Sequence, residues 1–105
     1  MIVAIVTFKL SKPWTLSQAS NIFKSTAPKY LGMPGLISKN YFLSENGKRT
    51  GGIYFWESKE FAEACYNHNS QWSEVVKKMY GVVPEIIYAE IPVTVDNIIK
   101  QIQID

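Results

Sequence analysis

Two runs of strand-forming residues, Leu36–Leu43 and Thr50–Trp56, are joined through Glu45-Asn46-Gly47-Lys48, and this joint constrains the chain more than any other part of it. Asn-Gly favours a type I′ hairpin turn, in which both central residues take positive φ. With Asn46 and Gly47 in those places, Glu45 faces Lys48 and the pairing follows outward. Tyr41 then opposes Gly52, Lys39 opposes Tyr54 and Ile37 opposes Trp56. These six share one face of a sheet. Leu36, Ser38, Asn40 and Phe42 with Gly51, Ile53 and Phe55 share the other. A slip of one residue would reverse every side chain, so the register is a strong commitment.

The rest of the chain reads outward from that hairpin. Ile2–Leu10 is apolar on both faces, as a strand covered on both sides must be. Thr15 with Gln18 forms a capping box before Leu16, Ala19, Ile22 and Phe23 at helical spacing. Pro28 ends that helix, because it lacks an N–H and restricts Ala27. Ser58 is an N-cap for a helix that buries Phe61, Ala62, Cys65 and Tyr66. The polar stretch 67–71 interrupts it, and a second piece, Trp72–Tyr80, ends at Gly81. Pro84–Ile91 is the last strand. Residues 93–105 form a tail whose apolar residues Ile98, Ile102 and Ile104 predict packing on the sheet edge or on a partner subunit. The order β-α-β-β-α-β is the split βαβ pattern of an α+β, ferredoxin-like domain with a four-stranded antiparallel sheet, residues 1–105 forming one domain. Its helices cover one sheet face only. The other is apolar too, so a twin subunit is expected to cover it and make a homodimer.

Bulk properties narrow the function. The chain has 105 residues, 47% hydrophobic and 13% aromatic, with a net charge of +2. That suits one folded domain. The basic residues form no stripe, which excludes nucleic acid as a partner. Ile2–Phe8 is too short to span a bilayer and has no basic leader, so no membrane role is expected. One cysteine, Cys65, permits no intrachain disulfide and fits a cytoplasmic location. One histidine, His68, and one cysteine leave no ordinary zinc set, and no carboxylate cluster has metal-ligand spacing, so no metal is expected. There is no Gly-rich phosphate loop, nucleophile elbow or Cys-x-x-Cys.

The face carrying Lys39, Tyr41, Tyr54 and Trp56 holds the chemistry. An ammonium over an aromatic ring gains about 0.5–2 kcal/mol, and burying it unpaired costs more. Such a lysine snorkels, pairs with an acid such as Glu90, or meets a polar ligand.

Pro34-Gly35-Leu36, Lys39, Asn46-Gly47, Gly51-Gly52-Ile53-Tyr54-Phe55-Trp56 and Val95-Asp96-Asn97 together resemble the YdhR-like mono-oxygenase family. That family lies in the dimeric α/β barrel superfamily, related to the antibiotic-biosynthesis mono-oxygenases, and the likeness spans about residues 1–97. The resemblance implies a homodimer and a pocket in each subunit between sheet and helices. Its activity would be oxidation of a small aromatic or polyketide-like molecule by molecular oxygen, with no cofactor. A non-catalytic binding or sensing dimer of the same fold is the alternative, since the fold alone fixes no chemistry.

Oxygenation of this kind needs a deprotonated phenol, a stabilised anion and exclusion of water. Lys39 is the candidate electrostatic stabiliser and His68 the candidate base. Tyr54 and Tyr88 are placed to orient a phenol, with Tyr41 beside them, and Trp56 and Trp72 to stack on a flat ring. Each also has a plain structural role. His68 lies in a polar break, Trp72 anchors a helix, Tyr88 packs mid-strand, and Cys65 is an inert core thiol. Gly51 and Gly52 indicate a bulge or close backbone approach, with Tyr41 stacking over Gly52. A haem-degrading role would need His68 as axial ligand. A ligand site requires that Lys39, Tyr54 and Trp56 line a cavity of roughly 300 Å³ or more; full packing of the three would instead mark a structural dimer whose aromatic residues are all core and interface.

Overall fold

The computed structural model describes residues 1–105. Its first helix starts where the capping signal lies. Thr15 accepts a hydrogen bond from the Gln18 amide, and the Gln18 side chain accepts one from the Thr15 amide, at 3.1 and 2.9 Å. Two orphan donors of the first turn are thus satisfied. This helix, α1 (Leu16–Thr26), stops short of Pro28, and the chain tightens into a 3-10 turn, Ala27–Tyr30. Next come α2 (Lys59–Tyr66) and α3 (Gln71–Tyr80). Ser70 caps α3 by accepting from the Ser73 amide at 3.1 Å. Gly81, at φ +69°, closes it.

The strands β1 (Ile2–Lys9), β2 (Leu36–Leu43), β3 (Arg49–Trp56) and β4 (Glu85–Glu90) form one antiparallel sheet in the order β2-β3-β1-β4. With the helices between them this is the ferredoxin-like α+β fold expected from the sequence.

The β2–β3 register is as expected at Lys39↔Tyr54 and Tyr41↔Gly52, but Trp56 pairs with Leu36, across a bulge at Ile37. The bulge turns Ile37 outward, where it is half exposed. The turn also differs from the expected type I′. Only Gly47 has positive φ, and Ser44 and Arg49 make the last ladder contact, leaving a four-residue loop. Asn46 instead uses its side chain, accepting from the Lys48 amide at 3.0 Å. Both loops leave the same residues opposite one another, which is why the register survived the wrong turn type. The loop is fixed in turn by the Trp14 amide donating to the Gly47 carbonyl, 2.9 Å.

One sheet face carries Ile2, Ala4, Val6 and Phe8 of β1 with Tyr54 and Trp56 of β3, and the helices cover it through Ala62, Tyr66 and Val76. Val6 and Trp56 are fully buried. A side chain the size of Val6 contributes about 1.5–3 kcal/mol by leaving water. The other face carries Val3, Ile5, Ile53, Phe55 and Ile87 and has no helix over it. No helix is long and apolar enough to cross a membrane.

The tail makes a second, two-stranded sheet, β5 (Val93–Asp96) with β6 (Gln101–Ile104). It joins the main sheet where the Ile91 amide donates to the Met1 carbonyl, and the N-terminal ammonium meets the Asp105 carboxylate. Ile98, Ile102 and Ile104 remain uncovered in the single chain.

Candidate functional site

The helices lie over the sheet without filling the space near the Pro28 break. There a cavity of about 620 Å³ opens between the 3-10 turn, α2 and the start of α3. The turn brings Tyr30, the loop after it Met33, α2 brings Phe61 and Cys65, α3 brings Trp72, and β3 brings Trp56. Its size is in the range of small-molecule sites, and its walls are mainly apolar and aromatic.

Beside it is a much smaller recess of about 40 Å³, lined by Lys39, Tyr41, Gly52, Tyr54 and others. Lys29, Tyr30 and Val75 line both spaces, so the two are neighbours sharing one wall. Trp56 therefore borders the large cavity and Lys39 and Tyr54 the small one. Contrary to the expectation from the sequence, the three do not line one cavity of roughly 300 Å³ or more; Trp72 links the two spaces. The Trp72 indole N–H donates to the Tyr54 hydroxyl at 3.3 Å, and the Trp56 N–H donates to the Tyr66 hydroxyl at 3.1 Å. These bonds set the ring orientations: Tyr54 and Trp56 lie nearly parallel, 6° apart, and Tyr66 stands edge-on to both.

Lys39 sits in a cage of tyrosines. Its Nζ lies 3.5 Å from the Tyr30 ring centroid, 3.8 Å from Tyr41 and 4.7 Å from Tyr54. Neither ion pair of the chain includes it. Glu90, the acid considered as its partner, is on β4 at the opposite sheet edge from β2. Burial lowers the Lys39 pKa to about 7. The same burial raises Tyr30 to about 12, holds Tyr54 and Tyr66 far above the usual phenol range, and raises the Cys65 thiol to about 11. Burial thus favours the neutral hydroxyl of these phenols and the protonated thiol of Cys65 near neutral pH.

Tyr41 does not lie over Gly52 as expected. It stacks on Phe23 at 4.7 Å, and its hydroxyl shares a 2.7 Å hydrogen bond with that of Thr26. The space above Gly52 is taken by the Tyr54 ring and the Lys39 stem, which a Cβ there would meet at 2.7 and 3.0 Å.

His68 and Tyr88 are elsewhere. Both line an open cleft of about 550 Å³ with Glu63 and Asn67, which shares only Ala64 with the large cavity. The reading of His68 as the base beside Lys39 therefore has no geometric support. No group of three His, Cys, Asp or Glu side chains converges anywhere in the fold. Sequence reasoning overlooked Tyr30, the residue nearest the lysine. Its signal was faint: an aromatic residue in the turn that must follow Pro28.

Comparison with known proteins gives three findings. The family described as "putative mono-oxygenase ydhR" matches residues 3–87. Among solved structures, the chain is similar to a monooxygenase from the gene ActVA-Orf6 of Streptomyces coelicolor, solved with the ligand nanaomycin D. The TM-score is 0.65 at 19% identity, covering 84% of each chain. It is similar also to a putative antibiotic biosynthesis monooxygenase from Bordetella bronchiseptica, with TM-score 0.65, 15% identity, and 86% and 95% of the two chains covered. A conserved protein from Methanosarcina mazei Go1 gives 0.62 at 17%, covering 84% and 89%. At these identities the likeness concerns the fold. No curated protein matches the sequence.

Proposed function

Because the chain belongs to the ydhR mono-oxygenase family, we propose that it oxidises a small aromatic or polyketide-like molecule with molecular oxygen and without a cofactor. The observation that carries this reading is the 620 Å³ aromatic-walled cavity beside an amine that has no counter-ion. Trp72, Phe61 and Trp56 all line the cavity, and in this reading they pack against the flat ring of the substrate. Buried positive charge at Lys39 stabilises a phenolate better than it does in water, since the local dielectric is low. In this reading the substrate supplies the electrons. Its anion meets oxygen, one oxygen atom joins a ring carbon, the other leaves as water, and the phenol becomes a quinone.

A solved fold relative carries nanaomycin D, which supports a polycyclic ligand of that class here. The working unit in this proposal is a homodimer joined through the open sheet face of Ile5, Ile53, Phe55 and Ile87, which otherwise leaves apolar surface in water.

A second reading is a binding or sensing protein that uses the cavity without chemistry. The absence of any carboxylate or imidazole from the cavity lining favours it. Oxygen consumption separates the two. Purified protein is offered a panel of hydroxylated naphthalenes and anthracenes in an oxygen electrode, with product masses recorded. Uptake with a product that has gained one oxygen atom and lost two hydrogens supports the oxygenase. Tight binding with no uptake across the panel leaves the sensor.

A further inference from the structure

Forming a phenolate inside this site requires somewhere for the phenol proton to go, and the choice of acceptors is narrow. The groups that face the Lys39 amine are Lys29 and Tyr30 from the 3-10 turn, Tyr41 from its own strand, Tyr54 from β3 and Tyr80 from α3, with Cys65 of α2 bordering the adjoining cavity. Thr26 is the contribution of α1. A second opening on Lys39, a cleft of about 240 Å³ along the β2 edge, adds only Ala27, Leu31, Gly32, Leu36, Ile37 and Ser38 as new walls. None of these residues is an acid or a histidine. His68, the only imidazole of the chain, opens on the other cleft.

From this geometry, and resting on the reading of the cavity as a phenol site, we propose that Lys39 is itself the proton acceptor, so that the ligand class is a neutral phenol or enol that ionises on binding. The transfer balances without any other reagent: the phenol O–H bond breaks, its proton bonds to Nζ, and the products are a phenolate and an ammonium held as a pair. The rings that stay around Nζ then act on the product, because an ammonium gains from the Tyr41 and Tyr54 faces what a free amine does not. Burial without a carboxylate, which presses the amine down to about 7, readies it as a base in the unliganded protein. Tyr30 is part of the wall common to cavity and recess. Its ring is the element that an entering aromatic ring displaces to reach the amine.

This role differs from that of a permanent cation in one measurable respect. A lysine that is already charged stabilises a phenolate whose proton is released to solvent. A lysine that takes the proton keeps it. Binding of 2-naphthol, which is un-ionised in water near pH 8, is followed by calorimetry in buffers of different ionisation enthalpy, about one unit above the Lys39 midpoint. Ultraviolet absorbance of the bound naphthol reports its ionisation. The expected result is bound naphtholate with close to zero protons released per site. Lys39→Arg, which stays charged, releases about one proton for each naphtholate formed. Lys39→Met, near in size, binds the neutral naphthol. Release of about one proton by the wild-type protein overturns the proposal, as does binding of neutral naphthol; either leaves the cavity as a phenol site. Failure of the wild type to bind 2-naphthol or any hydroxylated naphthalene overturns the proposal together with the site reading. Circular dichroism of each variant confirms that the fold is retained.

Discussion

The Lys39 amine lies 3.5 Å above the centre of the Tyr30 ring, and the two residues reach that contact from opposite sides of a chain reversal. Lys39 is carried on the edge strand β2, Tyr30 on the turn that Pro28 forces at the end of α1. The pair closes the wall between the large cavity and the lysine recess. Cation and ring together form that wall, and several measurements can separate a purely structural role from the reactive one proposed above.

Replacing the lysine should cost little stability. Lys39→Met removes a buried amine that has no counter-ion and keeps most of the side-chain volume, so urea unfolding should shift by less than about 1.5 kcal/mol at neutral pH, in either direction. A loss of several kcal/mol would mean that the lysine chiefly holds the fold together.

Stability should rise as pH goes from about 7 towards 10.5, the window between the folded Lys39 value and its unfolded one. Within it the unfolded chain binds a proton that the folded chain does not, and raising pH removes that advantage of the unfolded state. Above pH 10 the sign reverses. Burial holds Tyr30 and Tyr80 up to about 12, so the unfolded chain ionises first and gains. A urea midpoint that peaks near the crossover in wild type, with the rise missing from Lys39→Met, is the expected pattern. An equal rise in both proteins would exclude Lys39 as its source.

Tyr66→Phe removes one oxygen and leaves the Trp56 indole N–H, fully buried, without its acceptor. The expected cost is about 1–3 kcal/mol in denaturant unfolding. An unchanged midpoint would mean that the indole finds another acceptor.

The adjacent glycines should differ sharply. A Cβ on Gly51 would lie 1.8 Å from the Val6 carbonyl oxygen, a backbone atom of the central strand that cannot step aside. Gly51→Ala should fail to give folded protein. A Cβ on Gly52 meets the Tyr54 ring and the movable Lys39 stem at 2.7 and 3.0 Å. Gly52→Ala should fold with a loss of about 1–3 kcal/mol and weaker binding of aromatic ligands, read by thermal melting with and without ligand.

His68→Ala should leave ligand affinity and any oxygen uptake unchanged, since His68 borders a separate cleft. Trp72→Ala, by removing a cavity wall and the donor to Tyr54, should weaken binding at least tenfold, about 1.4 kcal/mol or more. The opposite ranking would move the site to the His68 side of α2.

The strands, the capping box at Thr15, the stop at Pro28 and the pairing of Lys39 with Tyr54 were legible in the chain because each depends on neighbours in sequence. Register survived even though the turn type did not, since a two-residue and a four-residue loop centred on the same point leave the same residues opposite one another. The bulge at Ile37 was not legible. It arises where β2 must follow β3 beyond the reach of the turn.

The sequence by itself determined the order of elements through β4, the two-sided apolar character of β1 and the face that Lys39, Tyr54 and Trp56 share, because alternation along a strand is a local rule; it did not show the β5–β6 hairpin of the tail. Only the tertiary structure decided which groups surround that face. The third ring on the lysine comes from the turn after α1, the cavity from helices that stop short of one another, and the exclusion of His68 from the side of α2 on which it falls. These are distances between segments far apart in the chain. They follow from how whole helices pack on the sheet, and no periodicity in the residues records them.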